Sequence, residues 1–126
     1  MTDATGRNRR NKRAGADWEV ALLKGLREHG HEVERLRLAG QHDEGDLVVR
    51  VIECMDRNVQ HVVVEAKAGV LHPAEFVREA MTERINYAKA RGLDPADVRG
   101  VVIAKSRGKN WKDAYVLTTV RDYFGL

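Results

Sequence analysis

Cysteine is almost absent from this chain: Cys54 is the only one in 126 residues. A lone thiol closes no internal disulfide and leaves a structural zinc site without cysteine partners. Disulfide-built secreted folds and cysteine zinc modules are therefore excluded, and a reducing compartment is expected. Long apolar runs are missing too; none approaches the ~18 residues of a membrane-spanning helix. The chain opens polar and basic, with no apolar stretch behind that start, unlike a secretion signal. Cytoplasmic residence, in a prokaryotic cell or a phage-infected host, is the expectation. There is no internal repeat and no low-complexity tract. The length suits one domain that buries roughly two-thirds of its unfolded surface.

Charge, by contrast, is plentiful, at 33% of residues against 43% hydrophobic, and the net +3 is unevenly placed. Arg7, Arg9, Arg10, Lys12 and Arg13 against Asp3 give residues 1–13 a balance of +4, which leaves −1 for the remainder. A basic arm on a nearly neutral body is a common way to hold a phosphate backbone, although a solvated terminus has the same composition. With so few apolar side chains, residues 1–13 are expected to be disordered when free, and 14–126 to form a single domain.

Periodicity predicts a helix from Ala14 to about His29, stopped by Gly30. Leu22, Leu23 and Leu26 lie within about 60° of Glu19 on its wheel, so Glu19 sits in the middle of the apolar stripe. A carboxylate there needs a partner, because an unpaired buried charge is costly. His31–Leu38 alternates weakly as a strand, and Gly40–Gly45 reads as a bend. Asp46–Ile52 and Gln60–Ala68 are expected as strands joined by the polar turn Met55–Asn58. In the second of these, alternation puts His61, Val63, Glu65 and Lys67 on one face. Pro73 opens a helix to about Arg91, with Phe76, Val77, Ala80, Met81, Arg84, Tyr87 and Ala88 packed and Gly92 as its stop. Beyond Asp94-Pro95 come a strand Val101–Ala104, a basic loop from Lys105 to Lys112, and a last strand Ala114–Val120. This order implies an antiparallel meander, a crossover helix and a parallel neighbour: an α/β fold with a mixed sheet.

Asp46 and Glu65-Ala66-Lys67 then place two carboxylates and an amine on adjacent strands. Hydrolysing a phosphodiester requires neutralisation of the phosphate, a positioned water that can lose a proton, and stabilisation of the leaving oxygen. Mg²⁺ or Mn²⁺ prefers oxygen ligands, so Asp46 and Glu65 are a suitable pair, and the Ala66 backbone carbonyl can add a third ligand. Lys67 can orient or deprotonate the attacking water, or offset charge on the phosphate, as its surroundings dictate.

These residues resemble the PD-(D/E)xK nuclease superfamily, and within it the archaeal-type and phage Holliday junction resolvases. The likeness runs through Arg13-Ala-Gly-Ala-Asp-Trp-Glu19, the bend Ala39-Gly40-Gln41-His42, Gly45-Asp46-Leu-Val-Val, and Val63-Val-Glu65-Ala-Lys67. It covers about residues 13–68, and the second half only by element order. The resemblance implies a restriction-endonuclease-like fold with an αβββαβ core plus a final strand. It also implies Asp46 and Glu65 as metal ligands, Glu19 as a further acid on the metal or its water, and Lys67 as the catalytic lysine. The activity implied is a Mg²⁺-dependent endodeoxyribonuclease, with Mn²⁺ substituting, that acts as a homodimer and leaves 5′-phosphate and 3′-hydroxyl ends. Two departures stand out. Gly45 replaces the motif's proline, and Gln41 and His42 stand in the bend where such resolvases often carry serine.

An exposed polar hairpin face would also alternate charges. It would not place Glu19 on an apolar stripe or a basic arm at the start of the chain, and the joint pattern favours a nuclease site. DNA contacts are expected from Arg7, Arg9, Arg10, Lys12, Arg13, Gln41, His42, Lys105, Arg107, Lys109 and Lys112. His29 and His31 suit a helix end, and His61 lies too far along its strand to share a metal with Glu65. Trp18 reads as a core or dimer-contact residue. Competing readings are a restriction- or repair-type endonuclease on duplex or flap DNA, an inactive DNA-binding module, and a small protein-binding domain.

Overall fold

Valine extends the middle of this chain, because β-branched side chains lose little freedom on a pleated strand and pack well on both of its faces. The computed structural model describes residues 4–36, 45–52 and 59–126, the side chains of 4–11 and 52 excepted. The elements run α1 (Ala4–Glu28), β1 (Glu32–Arg35), β2 (Leu47–Ile52), β3 (Val59–Lys67), α2 (Pro73–Arg91), β4 (Val98–Ala104), β5 (Tyr115–Leu117) and α3 (Val120–Phe124). Short 3₁₀ turns cover Pro95–Asp97 and Trp111–Asp113. The strands form one mixed sheet in the order β1-β2-β3-β4-β5, antiparallel except where α2 carries the chain over to a parallel β3–β4 pair.

The two long helices, α1 and α2, each cover one face. Trp18 and Leu22 of α1 pack on Val33, Leu47, Val49 and Val64, while Tyr87 and Ala88 of α2 pack on Val48, Val63 and Val98, and Phe76 and Ala80 on Val102 and Ala104. Being covered on both sides, the runs 47–49 of β2 and 62–64 of β3 are apolar on both faces. Burying each such side chain contributes roughly 1.5–3 kcal/mol.

The helix from Pro73 to Arg91 has the bounds expected, with Gly92 left-handed at φ 62° and its N–H donating to the last-turn carbonyls. Other expectations are corrected. The first helix starts at Ala4 rather than Ala14, since no proline interrupts the chain before it and arginine and lysine are good helix formers. The last strand is shorter than Ala114–Val120. Thr119 caps α3 by accepting from the Asp122 N–H at 3.0 Å, so a local side-chain bond overrides the apolar alternation. The strand ending at Ala104 begins earlier, at Val98. Cys54, the turn Met55–Asn58 and the bend containing Gln41 and His42 lie outside the described residues.

Gly45 explains the missing proline. Its φ of +102° is closed to proline, whose ring holds φ near −65°. A Cβ there would also lie 2.8 Å from Val63 Cγ1 and 3.2 Å from Glu83 Oε2. Gly45→Ala is expected to lower stability by about 2–4 kcal/mol in urea unfolding; an unchanged midpoint would show that this turn is not constrained.

Candidate active site

The strand period places Glu65 and Lys67 on the same side of β3 as Val63, the side that α2 covers. Glu65 is therefore buried, 8% exposed, rather than on a solvent-facing hairpin surface. Its Oε1 lies 3.3 Å from Lys67 Nζ, which also meets Glu79 Oε2 at 2.9 Å and sits 4.8 Å from the centre of the Phe76 ring. Glu79 and Glu83, one turn apart on α2, bring their carboxylates down onto the same place. Oxygens of Glu65, Glu79 and Glu83 all fall within 4.8 Å of one another.

Asp46 enters from the start of β2. Its N–H donates to the Val64 carbonyl at 3.0 Å, and Oδ2 accepts from the Ala66 N–H at 2.7 Å, so the side chain is clamped to β3 beside Glu65. In a strand the N–H and C=O of one residue leave on the same edge, which directs the Ala66 carbonyl toward Asp46 as well. Glu19 reaches this group from α1, close enough to Asp46 for their carboxyls to share a hydrogen bond. Arg35 lies 3.6 Å from its other side. Glu19, Asp46, Glu65, Ala66 and Lys67, widely spaced in sequence, are thus brought together. Among the described residues, however, the tight oxygen triple is Glu65 with Glu79 and Glu83, not Glu19 with Asp46 and Glu65.

The electrostatics follow from burial. Desolvation, helped by the charges of Glu65 and Glu19 and opposed by the Ala66 N–H, pushes the Asp46 pKa up to about 8. Without a cation, then, the cluster resists its full negative charge. Burial alone would lower the pKa of Lys67, but its bond to Glu79 and the charges of Glu65 and Glu79 outweigh that, and the net shift is upward. Lys67 is held as an ammonium ion, a donor and counter-charge rather than a base.

Glu79 and Glu83 were not anticipated from the sequence, yet a signal existed. Glu83 lies within about 60° of Phe76, Ala80 and Tyr87 on the wheel of α2 and is 4% exposed, the same anomaly that singled out Glu19. The remaining predicted residues are dispersed. Lys12 and Arg13 are exposed along α1, and the side chains of Arg7, Arg9 and Arg10 lie outside the described set, as do Gln41 and His42. Lys105, Arg107, Lys109 and Lys112 are exposed on one loop, which starts beside the site because the Lys105 N–H donates to the Lys67 carbonyl at 2.8 Å. Trp111 anchors that loop on α1 against Gly25, its ring 5.5 Å from that of His29. Trp18 is core, its indole N–H bonded to the Ile103 carbonyl. His61 bonds the Tyr87 hydroxyl at 2.9 Å, away from the carboxylates. The ring of His72 lies edge-on to Phe76.

The donor set fits a hard divalent cation. Every side-chain ligand is a carboxylate oxygen, and Glu65 Oε2 is buried with no hydrogen-bond partner among the described residues. No helix among those residues is long and apolar enough to cross a membrane.

No protein-family model matches this chain, and no curated protein matches it. Among solved structures it is similar to the Archaeoglobus fulgidus Hjc, a Holliday junction resolvase from an archaeal hyperthermophile. The identity is 19%, the match covers 75% of this chain and 71% of that one, and the TM-score is 0.46.

Proposed function

We propose that this chain is a metal-dependent, structure-selective DNA endonuclease that acts on four-way junctions as a homodimer. The observation that carries the nuclease reading is the chain of carboxylates Glu19, Asp46, Glu65, Glu79 and Glu83, with Lys67 paired to Glu65 and Glu79, an accumulation of buried and half-buried charge that no packing requirement explains. Asp46, Glu65 and the Ala66 carbonyl would hold Mg²⁺ or Mn²⁺, with Glu19 beside them and Glu79 and Glu83 offering further oxygens on the α2 side. When bound, the cation supplies neutralising charge for the phosphate and a water of lowered pKa. The Lys67 ammonium donates to a phosphate oxygen and offsets the charge that builds there. The basic loop from Lys105 and the basic start of α1 neutralise flanking phosphates, which makes affinity salt-dependent. Hydrolysis leaves 5′-phosphate and 3′-hydroxyl ends.

Selectivity for junctions is supported by the motif resemblance over residues 13–68 and by symmetry, since a two-fold dimer presents two identical sites to two equivalent strands. Comparing Mg²⁺-dependent cleavage of a four-way junction, a flap and a linear duplex of matched sequence tests it. A junction preference of at least about tenfold, ~1.4 kcal/mol in transition-state binding, is expected. Equal cutting of the duplex or flap would move the protein to a restriction or repair role. Binding without cleavage, unaltered by Glu65→Ala or Lys67→Ala, would make it an inactive binding module.

A further inference from the structure

The two edges of the sheet are built differently. Along β1, Glu32, Glu34 and Arg35 are exposed, and Arg50 of β2 forms ion pairs with Glu32 and Glu34. Charge of this kind guards an edge strand against pairing with another chain. The β5 edge, Tyr115-Val116-Leu117, has neither charge nor proline, and Tyr115 and Val116 are 56% and 63% exposed. Next to it, α3 is turned inside out. Of its two polar residues Arg121 is exposed and Asp122 faces the protein: Asp122 accepts from the Gly100 N–H at 2.9 Å and pairs with Arg84 at 3.1 Å, while Thr118 donates to the Gly100 carbonyl. Its apolar residues face water. Val120, Tyr123 and Phe124 are each more than 60% exposed, as is Leu126 just beyond. These polar bonds fasten α3 to the sheet and present a firm apolar surface.

We infer that the β5–α3 surface is the face on which a second copy of this chain docks. Its six exposed side chains offer on the order of 800 Å², one partner's share of a standard stable interface, and aromatic residues of this kind dominate interface cores. A two-fold contact is isologous, so an unguarded apolar edge meets its own copy, and an uncharged strand edge is a natural element for that pairing. The inference gives the homodimer proposed above its contact face, and it rests on that reading for the partner being a second copy.

Sedimentation equilibrium on the intact chain tests it, up to about 100 µM. The wild type should show a two-chain mass. The double variant Tyr123→Glu/Phe124→Glu should show a one-chain mass with an unchanged circular dichroism spectrum, its dissociation constant raised at least about 100-fold. Val116→Lys, which puts a guarding charge on β5, is the second variant should the first misfold, and it should dissociate the dimer likewise. Ile85→Ala, at an exposed position of α2, should leave it intact. A monomeric wild type, or a dimer indifferent to both β5–α3 variants, would overturn the inference. A dimer that dissociates as described yet cleaves no junction would refute the proposed activity and leave this face standing.

Discussion

Glu65→Gln should slow single-turnover junction cleavage by about 10³-fold or more while changing junction affinity only a few-fold. Glu65 links the two acidic groups: its charge acts on Asp46, which Glu19 also reaches, and its oxygens lie within reach of Glu79 and Glu83. Glutamine keeps its shape and one acceptor oxygen but removes the charge that a hard cation needs. Lys67→Ala should cost about 10²–10³-fold for a different reason, loss of the ammonium that Glu65 and Glu79 hold in place. DNA affinity, carried by the exposed basic residues, should persist in both variants. Fluorescence anisotropy with labelled junction, alongside gel assays of cleavage, separates the two quantities. Cleavage by Glu65→Gln at more than a tenth of the wild-type rate would remove this residue from the chemistry.

The second large effect concerns Glu83, which lies deep under α2 among other acids. Glu83→Gln should weaken Mn²⁺ binding by about 10–100-fold, measured by calorimetry without DNA. In chelator it should raise stability by roughly 1–3 kcal/mol, because a buried like charge has been removed. Function and stability are thus opposed at one position, as is common where a site holds charge for chemistry. The pH dependence points the same way. In the metal-free fold Asp46 keeps its proton up to about pH 8, whereas the unfolded chain releases it near the ordinary carboxylate value of 3.8. Stability should therefore fall as pH rises between those limits, by at most about 1.4 kcal/mol per pH unit for this one proton. Asp46→Asn should flatten the slope. An unfolding midpoint in chelator that rises over this range would contradict the burial of Asp46.

Much of this architecture was legible in local pattern. The valine-rich strands, the Pro73 start and Gly92 stop of α2, and the pairing of Asp46 with Glu65 all depend on residues near one another in sequence or on the two-residue strand period. Glu19 was legible for the same reason, since helical geometry alone puts it on an apolar stripe. Where local signals competed, the reading failed. The Thr119 cap outweighed the alternation of the last strand, and good helix formers carried α1 back through the basic start.

Sequence by itself determined an α/β mixed sheet and put Asp46 and the Glu65–Lys67 pair on neighbouring strands, because backbone periodicity is a local property. It could not say that Glu65 faces a helix rather than water, that Glu79 and Glu83 join it, or that Lys67 stays protonated. Those facts arise only when α2 crosses over β3 and excludes solvent from one end of it, bringing residues far apart in the chain within a few ångströms of one another. The inverted α3 belongs with them, for its outward apolar face depends on Asp122 finding Gly100 and Arg84 across the sheet edge.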